Sequence, residues 1–140
     1  MGESSFEEID FEPANTPGRN YGWKTLEGPQ CFDATATCDA TGFAPPLLAL
    51  DRDFGCAVIS GYVYRGHRIP ALRGTYLFAD YCFGHFGSLR VDGGQAVDVQ
   101  DITQDINPDG VSLISSFGVD NAGELYVASQ LGGLYRIDPD

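Results

Sequence analysis

Positively charged side chains are scarce in this sequence. Eight lysines and arginines stand against 20 aspartates and glutamates, which gives a formal net charge of −12 at pH 7 over 140 residues. Because a field of that sign repels phosphate backbones and anionic membranes, the composition argues against nucleic acid as a partner. The acidic excess favours solubility and the binding of divalent cations, and a solvated acidic surface is the simpler interpretation.

Long apolar stretches are also absent. No run approaches the about 20 consecutive apolar residues that a membrane helix needs. The opening residues, Met-Gly-Glu-Ser-Ser, have neither the basic nor the apolar region of an export signal. We therefore predict no membrane span and no signal peptide in this chain.

The cysteines predict an oxidising compartment. Cys31, Cys38, Cys56 and Cys82 lack the Cys-x-x-Cys spacing of zinc sites, and their even number is typical of two disulfides. Four cysteines allow three pairings, of which we favour Cys31 with Cys38 as a local staple and Cys56 with Cys82 as a longer tie. An extracellular or periplasmic location follows. It agrees with the missing export signal if the chain is a fragment of a longer secreted protein, or a mature form cut from one.

The apolar residues are arranged as in short strands. Runs rich in Val, Ile, Tyr, Phe and Leu are bounded by Gly, Asp, Asn and Pro, and helical periodicity is hard to find anywhere. The sequence therefore predicts an all-β fold. The predicted strands are 7–11, 57–64, 75–80, 87–91, 96–100, 113–119, 124–129 and 133–137.

A long irregular segment interrupts the strands between residues 15 and 52. It contains four prolines and no sustained alternation, but Tyr21, Trp23 and Phe32 are large enough to anchor it. We predict a structured loop in which these aromatic side chains are buried. The alternative is that Tyr21 and Trp23 stack on the ring of a sugar.

An internal repeat predicts the architecture. Residues 74–79 resemble residues 123–128, and residues 89–92 resemble residues 135–138, in the same order. A repeat of about 40 to 50 residues with four short strands is typical of propeller blades. We therefore predict one domain over 1–140, with a first strand and long loop in 1–56, one blade in 57–105 and an incomplete last blade in 106–140.

Several segments resemble one family. The segments 7–13, 18–23, 27–28, 31–32, 38–39, 55–56, 61–66, 69–74, 76–82 and 115–118 are similar, in this order, to the glucose/sorbosone dehydrogenase family. That family includes quinoprotein sugar dehydrogenases and the propeller of hedgehog-interacting protein. Its members are six-bladed β-propellers more than twice this length. The resemblance implies a partial propeller: about two four-stranded antiparallel blades and a disulfide-stapled loop, covering roughly the C-terminal third.

The resemblance also implies where the catalytic apparatus would lie. Quinoprotein members hold pyrroloquinoline quinone (PQQ), and their catalytic histidine falls upstream of residue 1. Their cofactor lysine falls near 82–84 and their arginine pair near 113–115, where this chain has no basic residue. We assign no catalytic and no cofactor-binding residue here, and we expect PQQ only in full-length relatives. His67 and His85 are predicted to be surface histidines.

Calcium is the cofactor that this chain is better placed to bind. Sugar dehydrogenases of the family hold a structural calcium through a glutamate and backbone carbonyls, at positions that resemble Glu8, Tyr21, Glu27 and Pro29. Calcium prefers several oxygen ligands of mixed kinds, which an irregular loop can supply. The alternative is that Glu8 is an ordinary exposed strand carboxylate.

Two functions remain open on the sequence. The first is a non-catalytic binding or assembly scaffold for a sugar or protein ligand, which the missing basic residues favour. The second is part of a PQQ-dependent aldose dehydrogenase. Because about two blades leave a sheet edge open, we also expect a homo-oligomer that completes the propeller, such as three chains giving six blades. The alternative is a compact two-sheet unit that is stapled by its disulfides.

Overall fold

The computed structural model describes residues 2–139, and its regular secondary structure consists almost entirely of short antiparallel strands, as the sequence predicts. The strands are β1 (Phe6–Ile9), β2 (Leu26–Glu27), β3 (Gln30–Cys31), β4 (Leu48–Asp51), β5 (Val58–Val63), β6 (Tyr76–Asp80), β7 (Phe86–Asp92), β8 (Gln95–Asp101), β9 (Ile114–Val119), β10 (Leu125–Ser129) and β11 (Leu134–Arg136). A 3₁₀ turn spans Pro70–Leu72, and a single-turn helix, α1, spans Thr103–Ile106.

Two sheets form the main body. Strands β5 to β8 pair in sequence order as a four-stranded antiparallel sheet, and β9 to β11 pair as a three-stranded one. The innermost strands β5 and β9 lie side by side: a Cβ added to Gly61 would lie 3.2 Å from the Phe117 ring. Each sheet therefore presents its first strand to the other.

The main core lies between these two sheets. Its buried members come from both sheets and from the residues that flank their strands. They are Tyr64, Leu77, Ala79, Phe86, Ile102, Ile114, Leu125, Val127 and Ile137. The rings of Phe86 and Phe117 meet edge to face, 6.1 Å apart. Burial of this set couples the two sheets in one folding unit.

The N-terminal strand is held by a partner that the sequence did not predict. β1 pairs antiparallel with β4, and Ile9 lies opposite Leu48. This ribbon packs against the other face of the four-stranded sheet, where Ile9, Phe78 and Leu89 form a second buried cluster. The segment predicted to lack alternation therefore contains β2, β3 and β4.

The aromatic prediction for that segment is wrong for Trp23. Its side chain is 59% exposed and packs edge to face with Phe32, with ring centroids 5.1 Å apart. Tyr21 is half-buried. The segment is held instead by its ribbon, by the turn between β2 and β3, and by a disulfide.

Both predicted disulfides are confirmed. Cys31 is bonded to Cys38 across a loop, with Cα atoms 5.7 Å apart. Cys56, just before β5, is bonded to Cys82, just after β6, with Cα atoms 5.9 Å apart. Between the latter two lies the fully buried Asp80, whose Oδ1 accepts the amide N–H of Cys56 at 2.7 Å.

Candidate functional site

An acidic cleft opens beside the N-terminal ribbon. It has a volume of about 340 Å³ and is lined by Gly2, Glu8, Asp10, Tyr21 and Trp23. Strand alternation explains the placement of the acids, because Glu7 and Ile9 are buried and Glu8 and Asp10 point the other way. The cleft therefore gathers two of the residues of the predicted calcium site, Glu8 and Tyr21.

Glu8 joins the cleft to the neighbouring turn. Its Oε1 accepts the amide N–H of Gly28 at 2.8 Å, which brings the carboxylate against the turn that contains Glu27 and Pro29. The Glu8 side chain is half-buried. It is therefore neither a fully free metal ligand nor an ordinary exposed carboxylate. The Tyr21 hydroxyl lies 2.9 Å from the Phe11 carbonyl and 3.1 Å from Glu12 Oε2, which ties this residue to the extension of β1.

Asp10 is an acidic member of the cleft that the sequence analysis missed. Partial burial raises its pKa, and the nearby charges of Glu8 and Glu12 raise it further. These three acids alternate along one side of the strand and its extension, a signal that was readable in the sequence. A divalent cation bound between these carboxylates would reduce their mutual repulsion.

Glu27 is directed elsewhere. Its side chain is buried, and its Oε1 accepts backbone N–H groups from Glu3, Ser4, Ser5 and, at longer range, Phe6. Burial alone would raise the pKa of Glu27, but these amides lower it to about 2. The Glu27 carboxylate therefore anchors the N-terminal backbone, and only the carbonyl of this residue is left for a metal.

A second buried acid lies beside it. Glu7 Oε1 accepts Arg52 Nη1 at 3.0 Å, and Glu7 Oε2 accepts the Val58 amide at 3.1 Å. Arg52 Nη2 lies 3.9 Å from Glu27 Oε1 and has no hydrogen bond within residues 2–139. Through these contacts Glu7 connects the N-terminal strand to β5, and the pair of Glu7 and Arg52 stabilises the fold.

The donor set of the cleft fits a hard cation in kind, since it consists of carboxylate and backbone oxygens. Within the described part of the chain, no group of three or more His, Cys, Asp or Glu side chains is arranged to hold a metal ion. Backbone carbonyls would therefore have to complete the coordination. Pro29 is exposed at the rim of the adjacent turn.

A second candidate region lies at the end of the sheets where the chain turns from β6 into β7. Its loops, 81–85 and 107–113, are joined by Asn107, which donates to the carbonyls of Gly84 and Val111 at 2.8 Å. Neither loop contains lysine or arginine. His85 is half-buried there, with Nδ1 2.5 Å from the Phe54 carbonyl, whereas His67 is exposed at the other end of the sheets.

No family model matches the chain. Among solved structures, two glucose dehydrogenases superpose on all of it with TM-scores of 0.70 and 0.69, at 21% and 20% sequence identity. The chain spans 40% and 39% of those proteins. It therefore has the fold of part of a glucose dehydrogenase propeller, which confirms the predicted resemblance.

Particular relatives appear among curated proteins of Arabidopsis thaliana. The HIPL2 protein is 28% identical over 166 aligned residues and the HIPL1 protein is 26% identical over 165. Both alignments cover 98% of this chain, which spans 23% of each relative.

None of the helices in residues 2–139 has the length and apolar character needed to cross a membrane. The two disulfides are consistent with an extracellular or secreted protein.

Proposed function

We propose that this part of a propeller is a binding or assembly module that does not itself oxidise a sugar. The observation that carries the proposal is the absence of lysine and arginine from the loop 81–85 and from residues 107–115, at the end of the sheets where the resemblance places the cofactor's lysine and arginines. A cofactor with several carboxylates needs positive partners when it is bound.

The side chains that do stand at that end support the same function. Phe83 is 59% exposed, and the His85 ring is engaged by a backbone carbonyl. The nearby acids Asp101 and Asp109 would oppose an anionic quinone. Such an end suits recognition of a neutral sugar or a protein better than retention of PQQ.

Turnover measurements test this proposal. The purified chain, supplied with calcium and PQQ, would be mixed with several aldoses and a redox dye. We expect no dye reduction above the rate without protein. Aldose-dependent and PQQ-dependent reduction would overturn the proposal.

One observation favours the second candidate, part of a PQQ-dependent aldose dehydrogenase. The two solved structures that match along the whole chain are both called glucose dehydrogenases. In that case a longer protein would supply the catalytic histidine and the basic cofactor residues, and this region would supply the cleft at Glu8.

We propose that the acidic cleft binds calcium whichever of the two functions is correct. The carboxylates of Glu8 and Asp10, with the backbone oxygens of Tyr21, Glu27 and Pro29, would hold the ion, and the ion would fix the long loop against β1. Location outside the cell, where calcium is abundant and disulfides persist, completes the proposal.

A further inference from the structure

The segment that follows β3 depends on one covalent bond for its position. Residues 33–43 are mostly exposed and form two local turns, which aspartate side chains close on their own backbone. Within residues 2–139, the hydrogen bond from the Cys38 amide to Cys31 Sγ, at 3.1 Å, is the only hydrogen bond or ion pair that joins this segment to another part of the chain. The Cys31–Cys38 disulfide is therefore the tie that positions the segment.

The second disulfide, Cys56–Cys82, has surroundings of the opposite kind. Its cysteines flank the paired strands β5 and β6. The buried carboxylate of Asp80 lies between them: Oδ1 accepts the Cys56 amide at 2.7 Å, and Oδ2 accepts the Phe83 amide at 2.6 Å. These contacts would keep the two sulfur atoms close together even if the bond between them were cut.

This contrast predicts which disulfide is the easier to reduce. A cleaved disulfide closes again at a rate set by the effective concentration of one thiol at the other. The fold keeps that concentration high for Cys56 and Cys82. For Cys31 and Cys38 it falls on cleavage, because residues 33–43 gain conformational freedom once the bond is gone.

The segment also adjoins a wall of the acidic cleft. Phe32, which follows Cys31 directly, packs edge to face with Trp23, at 5.1 Å between ring centroids. Trp23 in turn lines the cleft together with Glu8 and Asp10. Release of the chain just beyond Phe32 would therefore free the Trp23 side chain from its neighbour.

We infer that Cys31–Cys38 is a redox switch, which a dithiol reductant opens ahead of Cys56–Cys82 and which loosens the Trp23 wall of the acidic cleft when it opens. Asp33 and Asp39 stand next to the two cysteines and repel an anionic thiol, so the reductant is a dithiol without acidic groups. The oxidised, closed form is the resting form wherever disulfides persist.

The exchange takes place in two steps. A thiolate of the reductant attacks Cys38 Sγ and forms a mixed disulfide, while Cys31 leaves as a thiolate that the Cys38 amide, 3.1 Å from its sulfur, helps to stabilise. The second thiolate of the reductant then attacks the reductant's own sulfur in the mixed disulfide and releases Cys38. The reductant loses two electrons and becomes a disulfide, and its two protons end on Cys31 and Cys38.

The switch goes beyond the proposed binding function and does not rest on it. It acts on the wall of the cleft whichever ligand the cleft accepts. Turnover with PQQ, or a melting temperature that calcium does not change, would leave the order of reduction untouched.

The test follows both disulfides through a series of dithiothreitol concentrations at pH 7. Free thiols would be alkylated with iodoacetamide, and mass spectrometry would count the label at each cysteine. Trp23 is the single tryptophan, so its emission and its quenching by acrylamide report on the cleft wall in the same samples. Circular dichroism would show that the sheets stay folded. Two variants, Cys31→Ser/Cys38→Ser and its matched control Cys56→Ser/Cys82→Ser, each keep one disulfide.

We expect Cys31 and Cys38 to be labelled at about tenfold lower dithiothreitol concentration than Cys56 and Cys82. Over that first step Trp23 emission should move to longer wavelength and acrylamide quenching should increase, while the β signal is kept. Cys31→Ser/Cys38→Ser should show the shifted emission before any reductant is added, whereas Cys56→Ser/Cys82→Ser should keep the first step.

Three results would each overturn the inference, and all three can be read from the unaltered chain alone. They are labelling of Cys56 and Cys82 before or together with the other pair, a first step that leaves Trp23 emission and quenching unchanged, and loss of the β signal during that step.

Discussion

Glu27 shows how a single carboxylate organises the start of this chain. Its buried oxygen collects the backbone N–H groups of residues 3–6, which would otherwise lack partners beside the β2–β3 turn. Successive amides that converge on one anion form a nest. The negative charge therefore orders a segment that has no regular structure of its own before β1.

We expect Glu27→Gln to destabilise the chain by about 1–3 kcal/mol, because a neutral amide serves the nest poorly and leaves buried N–H groups short of an acceptor. The folded pKa of Glu27 is about 2, below its ordinary value of 4.5. Its contribution is thus fully present above pH 4.5 and is lost as the pH falls toward 2. Urea unfolding at pH 7 and at pH 3 measures it.

The control is Glu3→Gln, since the Glu3 side chain is exposed. It should unfold like the unaltered chain at both pH values. A Glu27→Gln deficit that is equally large at pH 3 and pH 7 would contradict the role of the charge.

The acidic cleft leads to a calcium prediction. Calcium should raise the melting temperature relative to a chelator, because it binds the folded form only and relieves the repulsion between Glu8 and Asp10. Glu8→Gln/Asp10→Asn should abolish the shift, while Glu3→Gln keeps it. Differential scanning fluorimetry is sufficient, and an unaltered chain that melts at the same temperature in both buffers would remove the site.

Among the elements, the contact between the two sheets depends on a buried hydrogen bond as well as on apolar packing. The Tyr64 hydroxyl at the end of β5 donates to Glu124 at the start of β10 and accepts the Ile69 amide at 2.9 Å. The Tyr64 hydroxyl lowers the pKa of the Glu124 carboxyl. The Arg65 to Arg73 loop is thereby held against the second sheet.

Tyr64→Phe should therefore lower the free energy of unfolding by roughly 1.5–3 kcal/mol, the usual worth of a hydrogen bond to a charged group. The loss should shrink at low pH, where protonated Glu124 no longer provides a charged acceptor. Tyr62→Phe is the matched control, because Tyr62 is 43% exposed. Equal changes in the free energy of unfolding for both variants, measured by urea titration, would show that the hydrogen bond between Tyr64 and Glu124 does not stabilise the contact between the sheets.

The strands themselves were largely predictable, and the exceptions have physical reasons. Strands β5 to β11 coincide with the predicted runs, because apolar residues alternate within each run and turn residues bound it. Strand β4 was not predicted, because Leu48-Ala49-Leu50 is too short to show the two-residue period of a strand. It also follows Pro45 and Pro46 closely. Helix α1 has a single turn, which is below the length at which helical periodicity shows.

The candidate site was predictable only in part for a related reason. Side-chain direction cannot be read for a two-residue strand such as Leu26–Glu27, so the burial of Glu27 and its nest came only from the structure. The alternation of Glu8, Asp10 and Glu12 was readable. The exposure of Trp23 depends on long-range packing that supplies other anchors to the loop.

At the scale of the whole molecule, the three-stranded sheet ends on an open edge. No strand within residues 2–139 pairs with the outer side of β11, where Leu134 is 73% exposed and Tyr135 43%. Open edges with apolar side chains favour pairing with another chain, whereas a charge of −12 opposes contact between copies.

We therefore expect self-association that strengthens with salt, as screening reduces the repulsion. Light scattering at rising protein and salt concentration should show larger species, and a species with three times the mass of one chain would be the expected ring. Leu134→Lys should suppress them, while Val99→Lys, a like change at an exposed position of β8, should do so less. A strictly monomeric species at every concentration and salt would rule out the ring.

The loop between β5 and β6 differs in charge from the rest of the chain. With a pI near 4.2, the chain as a whole migrates as an anion, yet no acidic residue occurs from Phe54 to Ala79, a stretch in which Arg65 and Arg73 are exposed. A small anion in solution is therefore repelled at long range but meets exposed guanidinium groups once it comes within about 8 Å of this loop, the screening length at physiological salt.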